Sequence, residues 1–288
     1  MNTLWALRLA GPIVGRFPKI FYPFAAFAGW LAWWVKPQAR ENLTRNMLPL
    51  CDGDLRRARR EGLNAYQNVA RYWVDLTTLP HRDLSRFEQD HITVVDHGGR
   101  AALEAPGGLV FVSAHIGNGE LAIQAMTMRG RKFVALVEPL KPESLSDKML
   151  QLRSSAGGCF YAADFKGLRA AIEALKQGDM LGMMGDRDIQ GTGLCVTLCG
   201  RDVRLPRGPW ELARREGATV LPAFSNRTWT DRFVVYLEAP LKVDCTDDAE
   251  GDIRRAMQEW AGIFERRLKA NPGQWGVLED FWKVHGCG

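Results

Sequence analysis

LVFVSAHIGNGELAIQAMTM, residues 109–128, is the stretch on which the fold turns. LVFVS is almost wholly apolar and has the length of a strand buried on both faces. Gly117 and Gly119 permit a tight turn after it, and Glu120 to Met128 has helix-forming composition. Strand, turn and helix in that order begin an α/β crossover. They place His115 just past the carboxyl end of a strand, where open α/β sheets gather their chemistry.

Working outward, the same alternation recurs. Downstream, Phe133 to Val137 reads as a strand, Gly167 to Lys176 as a helix and Met180 to Met184 as a strand closed by Gly185. A helix follows at Pro209 to Glu216, with Pro in its first turn and Gly217 at its end. Val220 to Ser225 and Phe233 to Leu237 read as further strands, and Asp252 to Ala270 as an amphipathic helix. Upstream, Ile92 to Val95 is β-like. Between Glu41 and Leu79 the spacing of Leu43, Met47, Leu63, Tyr66, Val69 and Trp73 is helical, and Pro80 marks a stop. The fold predicted is α/β, a largely parallel sheet flanked by helices. Residues 41–288 form one domain and residues 1–40 an apolar element appended to it.

That element centres on IFYPFAAFAGWLAWWV, Ile20 to Val35, flanked by Lys19, Lys36, Arg40 and Arg45. Sixteen apolar residues fall short of the roughly 20 that span a bilayer core, and Pro23 shortens the usable helix further. Trp30, Trp33 and Trp34 favour the headgroup interface. Together with Leu4 to Val14, the segment predicts helices lying in the membrane plane. A pair of core helices and a short transmembrane anchor are the competing readings.

The 288-residue chain carries a formal charge of +5. That suits an anionic membrane surface or a phosphorylated donor. No nucleic-acid-binding motif accompanies it, since Arg56, Arg57, Arg59 and Arg60 are mixed with Asp52, Asp54 and Glu61. Cys51, Cys159, Cys195, Cys199, Cys245 and Cys287 lack a secreted-framework spacing, so reduced thiols in a cytosol-facing protein are expected. Cys195 and Cys199 have no further ligands to complete a zinc site, and no metal is expected.

His115 and Glu120 have the spacing H(x)4E. With five His and 33 acidic residues, such a spacing arises by chance about half the time. His91 and Asp96 show it too, and are set aside because residues five apart on a strand point to opposite faces. A His in a turn and a Glu in the first turn of the helix after it can converge. The imidazole would then take the proton of an attacking hydroxyl, with the carboxylate fixing its tautomer. The alternative is that Asn118 or Gly117 caps the helix and Glu120 merely favours its dipole.

VFVSAHIGNGELA resembles the H-x-G-N-x-E block of the bacterial lipid A biosynthesis lauroyl/myristoyl acyltransferases, within the lysophospholipid acyltransferase superfamily. Further blocks follow in the family's order: RENLTRNMLPL (40–50), VEPLKPESL (137–145), GDRDIQGTG (185–193), VTLCGRDVRLPRGPWELARREGATVLPAF (196–224) and NPGQWGVLEDFWK (271–283). The GDRD form is closer to the phosphatidylinositol mannoside acyltransferases. Gly119 stands where a Trp is common, and Leu198-Cys199 where a Phe pair is common.

The resemblance implies a glycerol-3-phosphate acyltransferase-like fold, an acyl-CoA or acyl-carrier-protein donor, a membrane glycolipid acceptor and no cofactor. It implies work at the cytoplasmic face of the bacterial inner membrane, with His115 as general base and Glu120 as its partner. Asp186 is the reserve carboxylate. Asn118 is a candidate substrate contact, and Arg153, Arg187, Arg204 and Arg207 are candidates for phosphate, Arg187 foremost because it follows a strand end. A thioesterase and a catalytically silent lipid-binding protein are the rival functions. No GxSxG elbow supports the usual esterase route.

Overall fold

A computed structural model describes residues 7, 8, 10–119, 121 and 131–287. Glu120, with most of the helix expected over Glu120 to Met128, lies outside them, as do Leu4 to Ala6 and Leu9 of the upstream segment Leu4 to Val14.

The N-terminal third is helical: α1 (Gly11–Arg16), α2 (Pro18–Val35), α3 (Pro37–Met47), α4 (Leu55–Thr78) and α5 (Leu84–His91). Asp54 caps α4 by accepting from the N–H groups of Arg56 and Arg57. There follow β1 (Ile92–Asp96), α6 (Arg100–Glu104), β2 (Leu109–Ser113), β3 (Phe133–Val137), α7 (Glu143–Ser154), β4 (Cys159–Ala162), α8 (Phe165–Lys176) and β5 (Met180–Met184). After a hairpin of β6 (Leu194–Leu198) and β7 (Arg201–Leu205) come α9 (Gly208–Glu216), β8 (Thr219–Trp229), β9 (Arg232–Leu237), α10 (Ala249–Ala270) and α11 (Phe281–Val284).

Seven strands form one sheet in the order β1-β9-β8-β2-β5-β3-β4. β8, β2, β5, β3 and β4 run parallel, while β9 turns back antiparallel to β8 and β1 pairs parallel with β9. The parallel part is covered on both faces, which is why its centre reads as an unbroken apolar run. In β2, Val110 and Val112 face a core shared with α8, α9 and α10, and Trp260 of α10 donates to the Val112 carbonyl at 3.2 Å. Leu109 and Phe111 point the other way, into a cluster with Leu103, Phe133 and Leu221.

The N-terminal element packs one face of α2 on α4, burying Tyr22, Gly29 and Trp33. A Cβ at Gly29 would lie 2.8 Å from the Cα of Gln67, so glycine permits the approach. The other face is exposed and apolar: Ile20, Phe24, Phe27, Leu31 and Trp34 are each at least 47% exposed, at helical spacing. Contrary to the sequence expectation, Pro23 lies within α2 without ending it. It is exposed on the side away from α4, where losing one hydrogen bond near the helix start leaves the packing undisturbed. Among the described residues no helix is long and apolar enough to cross a membrane.

Two further expectations are corrected. Cys195 and Cys287 form a disulfide, so four thiols remain free rather than six. Local spacing hides this bond because its partners lie 92 residues apart. β7 brings them together: Val203 bridges Gly286, and the Cys287 N–H donates to the Asp202 carbonyl at 3.0 Å. His91 closes α5 rather than sitting in β1. Its Nδ1 lies 3.1 Å from the Asp231 carbonyl, while Asp96 accepts from Gly98 and Arg100, so different partners separate this pair, not strand alternation.

Candidate active site

Strand register brings His115 and Asp186 together. β2 and β5 are adjacent and parallel, with Ser113 opposite Met184. His115 and Asp186 each stand two residues beyond those partners, and neighbouring strands lie about 4.8 Å apart. His115 Nδ1 is 2.8 Å from Asp186 Oδ1, and the His115 backbone N–H donates to Oδ2 at 3.0 Å. Trp275 Nε1 donates to the same Oδ2 at 3.0 Å. The carboxylate is fully buried, and the imidazole side chain is 37% exposed.

Burial raises the proton affinity of the Asp186 carboxyl. The His115 charge facing it, the bonds from the His115 ring and Trp275, and the His115 backbone N–H outweigh burial and hold the group below the usual carboxylate range. An ionised carboxylate can only accept, so in the neutral imidazole Nδ1 carries the hydrogen and Nε2 the lone pair. The arrangement is that of an oriented general base.

The loop after His115 is fastened to residues 274–276. Gly276 N–H donates to the His115 carbonyl at 2.8 Å and Gly117 N–H to the Gln274 carbonyl at 2.9 Å. Gly117 adopts φ +58°, and a Cβ there would sit 2.2 Å from the Ser225 carbonyl oxygen. Only glycine fits that position. Asn118, expected as a substrate contact, is hydrogen-bonded within the protein. Its Oδ1 accepts from the Leu121 N–H at 3.1 Å, its Nδ2 donates to Asp75 Oδ2 at 2.9 Å, and the residue is 4% exposed.

Asp75, a buried carboxylate on the packed face of α4, also accepts from Tyr22 at 2.6 Å and pairs with the buried Arg227 guanidinium. It thus joins α2 and β8 to the loop that follows His115. The arginines are dispersed. Arg187 forms a two-pronged pair with Glu279 at 2.7 and 2.8 Å and approaches Glu138 at 3.5 Å. The Glu279 bond is the main reason its guanidinium is held above its ordinary proton affinity. Arg187, a phosphate candidate by its strand-end position, therefore has carboxylate partners on the protein itself. Arg153, at the end of α7, donates to the Tyr72 hydroxyl at 3.0 Å. Arg204 projects from the hairpin into solvent, and Arg207 pairs with Glu211 at 2.6 Å at the start of α9. Neither hydrogen-bonds His115 or Asp186 among the described residues.

Sequence reasoning assigned no role to Asp75, Trp275 or Glu279. The available signals were a carboxylate amid the buried run Val74 to Thr78 and the terminal NPGQWGVLED block itself. His115 in contact with Asp186, on loops at the carboxyl edge of a parallel sheet, fits transfer chemistry begun by deprotonating a hydroxyl.

A phosphatidylinositol mannoside acyltransferase of Mycobacterium tuberculosis is 33% identical over 227 residues, 75% of this chain and 68% of that protein. One from Mycolicibacterium smegmatis is 31% identical over 224 residues, 75% of this chain and 70% of that protein. The model of the bacterial lipid A biosynthesis acyltransferase family matches residues 2–284, nearly end to end, and the chain accordingly belongs to that family.

Proposed function

We propose that this acyltransferase moves a fatty-acyl group from an acyl-CoA or acyl-carrier-protein thioester to a hydroxyl of a phosphatidylinositol mannoside-like or lipid A precursor-like glycolipid, with His115 as general base. The carrying observation is the 2.8 Å contact between His115 Nδ1 and the buried Asp186. In this reading Asp186 holds the productive tautomer, and Nε2 takes the proton of the acceptor hydroxyl. The oxygen attacks the thioester carbonyl, and the tetrahedral oxyanion collapses with expulsion of the thiolate. The imidazolium then returns its proton to the sulfur. Gly117 N–H is engaged by the Gln274 carbonyl, which leaves the Asn118 and Gly119 amides as this loop's candidates for stabilising the oxyanion. Glu120 retains a supporting role in the proposal.

The exposed apolar face of α2 sets the protein on the membrane, peripherally and at the cytoplasmic leaflet, within reach of acceptor and soluble donor. The test is purified protein with acyl-CoA or acyl-carrier protein and each glycolipid in vesicles, read by mass spectrometry and thiol release. Acylated glycolipid, thiol release that depends on acceptor, and loss of both in a folded H115A variant are expected. Thiol release without acceptor would identify a thioesterase, and unchanged transfer by H115A would sink the proposal.

A further inference from the structure

A cavity of about 510 Å³ lies behind the catalytic loop, between α4, the β8–β9 turn and the 271–274 loop. Asn64, Gln67, Asn68 and Arg71 line it from one face of α4, at the spacing that stacks side chains on a helix. Asn271 and Gln274 line the opposite wall, and Trp229, 71% exposed, stands at the mouth. Asn64, Gln67 and Asn68 donate to Glu61 and to the Ala26 and Gly273 carbonyls, and the Gln274 amide is engaged at both ends by the Arg227 backbone. The Asn271 carboxamide and the amide oxygens of Asn64 and Gln67 are therefore the groups that can meet vicinal hydroxyls, and an indole offers a flat face for a ring.

The charge within the cavity is unbalanced. Arg227 is neutralised by Asp75, and Glu61 at the rim is engaged by Arg60 at 3.2 Å and by Asn64 at 3.2 Å. Arg71 donates to the neutral Asn68 Oδ1 at 3.1 Å and has no ion pair among the described residues. Burial, then the neighbouring Arg227, pushes its guanidinium below the ordinary value. A half-buried forked cation beside a like charge is a site for a phosphate oxyanion.

Location narrows the ligand. Gln67 reaches out of the cavity to donate to the Ala26 carbonyl of α2 at 3.2 Å, so the cavity adjoins the helix whose outer face carries Phe24 and Phe27. On the other side, Gln274 accepts from Gly117 of the catalytic loop. We propose that this cavity binds the headgroup of an anionic polyol phospholipid, with Arg71 on the phosphate, and the Asn64, Gln67 and Asn271 carboxamides with Trp229 on the polyol ring. As the acceptor's anchor, the cavity rests on the acyl-transfer reading; as a lipid site it is tested without it.

The test uses full-length protein and flotation with phosphatidylcholine vesicles doped with phosphatidylinositol or, at equal charge, phosphatidylserine. R71Q is expected to bind the phosphatidylinositol vesicles at least about tenfold more weakly, the loss of one charge-assisted contact, with little change on phosphatidylserine. Soluble inositol phosphate is expected to compete at lower concentration than inorganic phosphate. Unchanged binding by R71Q, equal loss on both vesicles, or equal competition by inorganic phosphate overturns the proposal. W229A, at an exposed position, keeps the test open should R71Q fail to fold: selective loss on phosphatidylinositol supports the site and equal loss on both vesicles overturns it. In kinetics R71Q should raise KM for the acceptor and leave that for the thioester unchanged, and a raised thioester KM with unchanged acceptor KM also overturns it. Failure of the acyl-transfer reading would show separately, as H115A retaining transfer while R71Q still loses lipid binding.

Discussion

Asp186→Asn isolates the carboxylate from the rest of the site. Among the described residues, Asp186 Oδ2 receives two donors, the His115 backbone N–H and Trp275 Nε1, and Oδ1 receives only the imidazole Nδ1–H. An asparagine satisfies the two fixed donors by placing its oxygen where Oδ2 was, which turns its NH2 toward Nδ1. The imidazole must then accept at Nδ1 and carry its hydrogen on Nε2, the tautomer that cannot act as base. Positioned general-base catalysis contributes roughly 10²–10⁴-fold, so kcat should fall by about that factor, or about 3–5 kcal/mol of barrier. The cavity shape is unchanged and two of three hydrogen bonds persist, so KM should hold and stability should drop by only about 1–2 kcal/mol. Steady-state kinetics with thermal denaturation gives both quantities, and nitrogen NMR of labelled His115 reports the tautomer. A folded D186N variant that keeps kcat within about fivefold, below the range for general-base catalysis, would refute the reasoning and shift the orienting role to another group, Glu120 first.

Further outcomes rest on other contacts. Asp75→Ala leaves the buried Arg227 guanidinium without its counter-charge and should cost roughly 3–5 kcal/mol, against roughly 1 kcal/mol for Tyr22→Phe; equal costs in urea unfolding would contradict this network. Glu279, hydrogen-bonded by His285 and Arg187, titrates near about 2 instead of its ordinary 4.5. A depressed carboxyl stabilises the fold above its unfolded value, and that share is lost as pH falls from about 4.5 toward 2. E279Q should therefore be less stable than the parent protein at neutral pH, with the gap closing across that window in an acid titration; a gap independent of pH would remove the linkage. Replacing Phe24 and Phe27 by Ser should weaken vesicle flotation by well over tenfold, at roughly 1.5–3 kcal/mol per aromatic side chain, while leaving the folded core intact because both are exposed.

Local pattern was enough for the strand LVFVS, for most of the alternating elements around it and for the placement of His115 past a strand's carboxyl end. Strand and helix periodicity is a property of neighbours in the chain, so those elements were legible without coordinates. The exposed apolar stripe of α2 was foreshadowed by composition, although only the packing of Tyr22, Gly29 and Trp33 on α4 showed which face stays outside. Partner choice was of another kind. Asp186 reaches His115 from 71 positions away because β5 lies beside β2 in the sheet, a matter of strand order that no spacing carries. The same holds for Glu279, which pairs with Arg187 at a separation of 92, for Cys287 on Cys195, and for the cavity assembled from α4, β8 and the 271–274 loop. Each depends on where the chain returns, and that is decided by the packing of the whole sheet and its helices, not by any local stretch of residues.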